Sequence, residues 1–196
     1  MIEMVLASNN AHKLAEVSRL FPGTRIITPR ELGIVFEFEE NGATFFDNAR
    51  GKAASLFQKV GRPVLADDSG LCVHALGGAP GIASNRYGAG PDGRLLESPR
   101  RNALLLENLG STEDRAASFV CCLVLVQDEG RFIAVQETVH GTITDAPRGT
   151  NGFGYDPLFL LPGLGKTLAE LSDEEKDEVS HRGRAARRLR ALLTLP

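Results

Sequence analysis

The chain has 196 residues, of which 42% are hydrophobic and 24% charged, with a formal net charge of −3. That is enough for one domain, taken as 1–196, with a substantial core. The slightly negative balance excludes the general electrostatic pull toward nucleic acid that a basic excess provides, so any anionic substrate has to be met by local cations. No apolar run approaches the roughly 20 residues that span a bilayer, and Met1 leads into a strand-like run without the basic n-region of a secretory signal, so the expectation is a soluble, cytoplasmic protein with no membrane partner.

In chain order, an apolar run over 4–7 reads as a strand and 11–21 as a helix. Asn10 can cap that helix, Leu14, Val17, Leu20 and Phe21 form one apolar stripe, and Pro22-Gly23 stop it. The polar turn Ser8-Asn9-Asn10 therefore joins a strand to a helix, where unpaired N–H groups and the helix dipole favour a phosphate. Lys13 opposes that dipole, as a cation does when it serves an anion such as a triphosphate; taken alone, the turn reads sooner as a plain cap beside a solvated lysine.

A second helix is predicted over 44–60, capped by Thr44 with Asp47 at the box position. Glu39 and Glu40 precede it and, by themselves, are ordinary dipole complement or solvated charge. The stretch VLADDSGLCV then places Asp67 and Asp68 at the end of an apolar run, with Ser69-Gly70 permitting a break before 71–73 resumes it. Neighbouring side chains of an extended segment point to opposite faces, so one aspartate is expected to hold structure and the other to meet a ligand. Mg²⁺ takes one or two protein carboxylates with waters and substrate phosphates, and an aspartate beside it can accept a proton from water. A plain Asp-Asp-Ser-Gly turn is the alternative.

Beyond a helical pattern over 97–109, the run 119–126 is apolar throughout, as in a strand covered on both faces, and Asp128-Glu129-Gly130 turn it into a partner over 131–139. Cys72, Cys121 and Cys122 lie in apolar runs without metal or redox spacing, which predicts buried, reduced thiols. The loop 149–157 mixes glycines that admit close backbone approach with Phe153 and Tyr155, rings on which a base can stack, although a packed hairpin loop has the same composition. Gly165-Lys166-Thr167 ends like a phosphate-binding loop but lacks the glycine at position 160, so it is set aside. The last helix, 173–193, opens with a capping box at Ser172 and runs from acid to base. Arg187, Arg188 and Arg190 are placed on its solvated face and Ala185, Leu189 and Leu192 inward; Lys176, His181 and Arg182 precede the basic run with donors suited to phosphate or base oxygens.

Strands interspersed with helices make this an α/β chain. The ordered set SNNAHK, FEENGATFFDNARGKA, ADDSGLCVHALGGAPGIASNRY, GTNGFGYDPLF, GKTLAEL and SHRGRA resembles the inosine triphosphate pyrophosphatase family, over residues 6 to about 186. The resemblance implies an elongated mixed β-sheet with flanking helices, two lobes around a central cleft, and Mg²⁺-dependent hydrolysis of non-canonical purine nucleoside triphosphates (ITP, dITP, XTP) to monophosphate and pyrophosphate. It makes Ser8, Asn10 and Lys13 triphosphate contacts, with Asn9 in the same turn where many relatives carry a different residue. It makes Glu40 the metal-binding acid, open by one position because Glu39 adjoins it, and Asp68 the metal-linked general base. Ser69 would help hold the phosphate end, Phe153, Gly154, Tyr155 and Asp156 would form the base loop, and Lys176, His181 and Arg182 would close over the purine. Family members are commonly homodimers acting on a small-molecule nucleotide. A Maf-type pyrophosphatase and a purine-binding module without catalysis are the competing readings; the 153–155 loop with Ser180-His181-Arg182 speaks against the first, and Asp68 with Lys13 against the second.

Overall fold

A computed structural model describes residues 2–193. Seven strands form one mixed sheet in the order β2-β1-β3-β4-β5-β6-β7, comprising β1 (Ile2–Leu6), β2 (Thr24–Ile27), β3 (Val64–Val73), β4 (Ala116–Asp128), β5 (Arg131–Ile143), β6 (Phe159–Leu161) and β7 (Lys166–Thr167). β1 runs parallel to β2 and β3, whereas β6 is antiparallel to β5 and β7. Five helices accompany the sheet: α1 (Ala11–Leu20), α2 (Phe45–Val60), α3 (Ser98–Leu109), α4 (Asp173–Val179) and α5 (His181–Leu193). Among the described residues no helix is long and apolar enough to cross a membrane.

The chain divides into two compact units, one made of residues up to 68, 121–137 and those from 182 on, the other of 69–120 and 138–181. Three of the crossing points fall inside β3, β4 and β5, and the fourth in the first turn of α5. No linker composition marks them, which is why the sequence shows no boundary. In the first unit the period-2 alternation of the strands sorts the core into two layers. Leu6, Leu65, Cys121, Leu123 and Leu125 pack with Val17 and Leu20 of α1 and Ala185, Ala186 and Leu189 of α5. Val5, Ala7, Val64, Ala66, Cys122, Val124 and Val126 pack with Ala49, Ala53 and Leu56 of α2. The unbroken apolar run of β4 is thus a strand covered on both faces. The second unit has its own core, in which Leu71, Phe119, Val139 and Ile143 meet Leu105 and Leu109 of α3 and the segment 155–171.

The predicted caps form: Asn10 Oδ1 accepts from the N–H groups of His12 (2.9 Å) and Lys13 (3.2 Å), Thr44 Oγ1 from Asp47 (3.1 Å), and Ser172 exchanges bonds with Glu175. All three cysteines are unbridged; Cys121 and Cys122 are buried, Cys72 partly so, and burial pushes the Cys122 thiol up to about 11. Three expectations change. β3 runs unbroken through Ser69-Gly70, because each aspartate finds partners on its own face and no kink is needed. The final helix splits at Ser180, whose backbone is extended (φ −71°, ψ 160°). Leu192 is 43% exposed, lying one turn beyond the α5 residues that pack inward. As expected, Gly165-Lys166-Thr167 is no phosphate loop: it forms the turn and second strand of the β6-β7 hairpin, with Lys166 paired to Glu175.

Candidate active site

Alternation along β3 separates the two aspartates. Asp67 shares the face of Leu65, and its buried carboxylate accepts from Arg182 Nε (3.0 Å), Cys121 Sγ (3.1 Å) and the Lys13 ammonium. Arg182 is itself clamped by Glu16, one turn along α1 from Lys13. Two carboxylates and two cations therefore balance, with only Lys13 partly exposed. Burial opposes charge on Asp67, but Arg182 and Lys13 outweigh it and hold its carboxyl well below the usual range.

Asp68 shares the face of Ala66 and meets α2. Asn48 Nδ2 donates to its Oδ2 (3.1 Å), and Lys52 Nζ lies 3.4 Å from its Oδ1. The same ammonium donates to Glu40 Oε1 (2.6 Å) and to the Asp67 carbonyl (2.7 Å). Burial pushes the Asp68 carboxyl up, with Lys52 working against it and Glu40 adding to it; burial lowers Lys52 but the charges of Asp68 and Glu40 more than restore it. Glu40 reaches this point because Asn48 Oδ1 also accepts from Gly42 N (2.8 Å), a contact that a side chain at 42 would obstruct, its Cβ falling 2.7 Å from that same Oδ1. Glu39 is exposed, so of the two acids only Glu40 joins Asp68 at Lys52. Two carboxylates on one cation match the number Mg²⁺ takes from a protein, and no group of three or more metal-ligating side chains occurs among the described residues. In the turn before α1, Ser8 Oγ accepts from Asn10 N (3.1 Å) and Asn9 Nδ2 donates to the Phe36 carbonyl (2.8 Å). Ser69, partly exposed, follows on β3 in the other unit.

In the second unit Asp156 Oδ2 accepts from Phe153 N (2.8 Å) and Lys176 Nζ (2.7 Å), and that ammonium lies 5.1 Å from the centre of the Phe153 ring. Gly152 has φ +71°, and a Cβ there would lie 2.2 Å from Asp156 Oδ2. Phe153 is the partly exposed ring of the loop. Tyr155 instead buries its ring in the core and donates its hydroxyl to the Ser84 carbonyl (3.0 Å). His181 is buried and stacks on Phe119 at 4.6 Å with the planes 6° apart.

Residues 4–192 match the Ham1 family. The chain belongs to the Ham1 family. It is 50% identical to a dITP/XTP pyrophosphatase of Treponema denticola, with 94% of both chains covered, and 49% identical to one of Ralstonia nicotianae, covering 96% of this chain and 95% of that one. It also superposes on a HAM1 protein of Coxiella burnetii with a TM-score of 0.87 at 42% identity, covering 99% of each chain.

The Ham1 match spans every residue placed above, including three that sequence reasoning passed over: Glu16, Asn48 and Lys52. A signal for two of them was present. Asn48 and Lys52 are one turn apart on the buried stripe of α2 that also holds Ala49, Ala53 and Leu56, and a cation on an apolar stripe requires a buried partner. Glu16 gave none, because its partner is 166 residues away.

Proposed function

We propose that this chain hydrolyses inosine and xanthosine triphosphates and dITP between the α and β phosphates, giving the monophosphate and pyrophosphate. The observation that carries this reading is the convergence of Glu40 and Asp68 on Lys52, with Lys13 and the capped start of α1 in the same unit. The names of the Treponema and Ralstonia relatives supply the substrate class.

Asn48 fixes Oδ2 of Asp68, which leaves Oδ1, with its longer contact to Lys52, to take a proton from the attacking water. Oxygen then bonds to the α-phosphorus, the bond to the bridging oxygen breaks, and pyrophosphate departs with the electron pair. Lys13, Lys52 and the side chains of Ser8, Asn9 and Asn10 meet phosphate charge, with Ser69 at the phosphate end. Glu40 and Asp68 would hold Mg²⁺, which when bound neutralises charge on the phosphate oxygens. Phe153 offers a face to the base, and the backbone of Gly154, Tyr155 and Asp156 with Lys176 and His181 offers donors to a 6-oxo purine. Arg182 is assigned to the same purine, exchanging one of its present carboxylate partners for it. A cytoplasmic homodimer is the assembly proposed, expected as twice the chain mass in light scattering.

The test is purified protein with Mg²⁺ and a panel of ITP, dITP, XTP, GTP and ATP, with pyrophosphate measured. A 6-amino group turns a donor toward donors at roughly 1–3 kcal/mol per unpaired group, so ITP and XTP are expected about a hundredfold ahead of ATP. Orthophosphate release, or equal rates on ATP, would refute the reading.

A further inference from the structure

Helix α3 carries a side chain that its own packing does not explain. Its buried residues are Arg101, Asn102, Leu105 and Leu109; Arg101 is held by the Asn85 and Leu96 carbonyls, and the two leucines belong to the core of the second unit. Asn102 is 4% exposed at a position where the pattern calls for another apolar residue, and asparagine is a poor helix former. Its Nδ2 donates to the Gly154 carbonyl at 3.0 Å, while its Oδ1 has no protein partner among the described residues. A buried amide left half satisfied is costly in an apolar stripe, so the single bond it does make is what the position serves.

That bond falls on the one peptide in the loop with the most freedom to turn. Gly154 has φ +65° and open space where a side chain would be, so no Cβ resists rotation of the Gly154-Tyr155 peptide plane. A peptide is planar and trans, so tying the carbonyl of Gly154 to α3 aims the Tyr155 N–H away from α3. Among the described residues that N–H and the Gly154 N–H donate to no protein acceptor. On the other side of the loop Asp156 holds Phe153 N, and the Tyr155 hydroxyl is fixed on Ser84, so the flanks are pinned independently of Asn102.

We propose that Asn102 is a positioning residue that sets base selectivity: by holding the Gly154 carbonyl it keeps the Gly154-Tyr155 peptide presenting a donor, suited to the 6-oxygen of inosine and xanthosine. With the lock removed, the peptide can turn its carbonyl to the base and accept from the 6-amino group of adenine. Asn102 touches neither substrate nor phosphate and acts through the loop. The inference rests on the reading of 153–156 as the base loop.

The experiment compares kcat and KM for ITP and ATP in wild type, Asn102→Leu, Asn102→His and Phe153→Ala. Leucine restores the apolar stripe and removes the donor. The ITP to ATP ratio of kcat/KM is expected to fall about tenfold, the worth of one buried hydrogen bond, through a higher KM for ITP and a lower one for ATP, while kcat for ITP moves less than about threefold. Histidine, which keeps an N–H, should recover part of the ratio. Should Asn102→Leu fail to fold, Asn102→Asp, of the native shape and without the donor when ionised, is read in its place. An unchanged ratio, or equal losses on both nucleotides, overturns the proposal. Phe153→Ala separates the two levels: if it leaves KM for both ITP and ATP unchanged, the base-loop reading itself is wrong, whereas if it raises KM for both, as loss of a stacking face does, and Asn102→Leu leaves the ratio unchanged, only the role of Asn102 is.

Discussion

Asp67 and Asp68 differ by one position on β3 and by the company of their carboxylates. Replacing Asp67 by Asn removes the charge that the buried Arg182 and the partly exposed Lys13 share, which for a buried ion pair costs about 3–5 kcal/mol, so Asp67→Asn should lower the free energy of unfolding in denaturant by that order. The acid limb follows from the same group. Its folded pKa lies below the unfolded value of about 3.9, so the stabilisation is fully present above that value and is lost as pH falls through the folded pKa. Stability measured between pH 2 and 7 should therefore show a shallower acid decline in Asp67→Asn than in wild type; identical slopes would mean that Asp67 carries no such share. For Asp68 the expectation is reversed. Asp68→Asn keeps the Asn48 contact in one orientation and should unfold much like wild type, yet its turnover should drop on the order of 10² or more.

Elements of the fold were legible in proportion to how local their signals are. Asn10, Thr44 and Ser172 announce helix starts because a cap acts within three residues, and the apolar run of β4 announces a strand because both its faces are covered. β2, β6 and β7, of four, three and two residues, are too short to carry a period. The continuity of β3 and the break at Ser180 were hidden, since partners distant in the sequence decide them: Arg182 lies 115 residues from Asp67. The site follows the same rule, with Asp68 and Glu40 readable from their motifs and Lys52 not, its role fixed only by the strand opposite α2. The loop 149–157 offers a test at this scale. Gly152→Ala would set a Cβ against Asp156 Oδ2 at a positive φ, and KM for ITP should rise about tenfold, as for one lost hydrogen bond. Gly163→Ala, where nothing lies within 4 Å, should stay within about 0.5 kcal/mol of wild type in stability and leave KM unchanged.

For the molecule as a whole, each of the two units brings its own constellation: paired acids sharing Lys52 in one, a glycine-rich loop with Phe153, Asp156 and Lys176 in the other. The chain passes between them four times, three times along strands, so neither constellation stands on a segment of sequence that could be cut away intact. The Ham1 family match runs across all of these passages. The proposed mechanism has water activated at Asp68 attack the α-phosphorus. Hydrolysis of ITP in water enriched in ¹⁸O, followed by mass spectrometry of both products, tests it most directly. One labelled oxygen is expected in the inosine monophosphate and none in the pyrophosphate; label in the pyrophosphate, or in released orthophosphate, would contradict attack at the α-phosphorus.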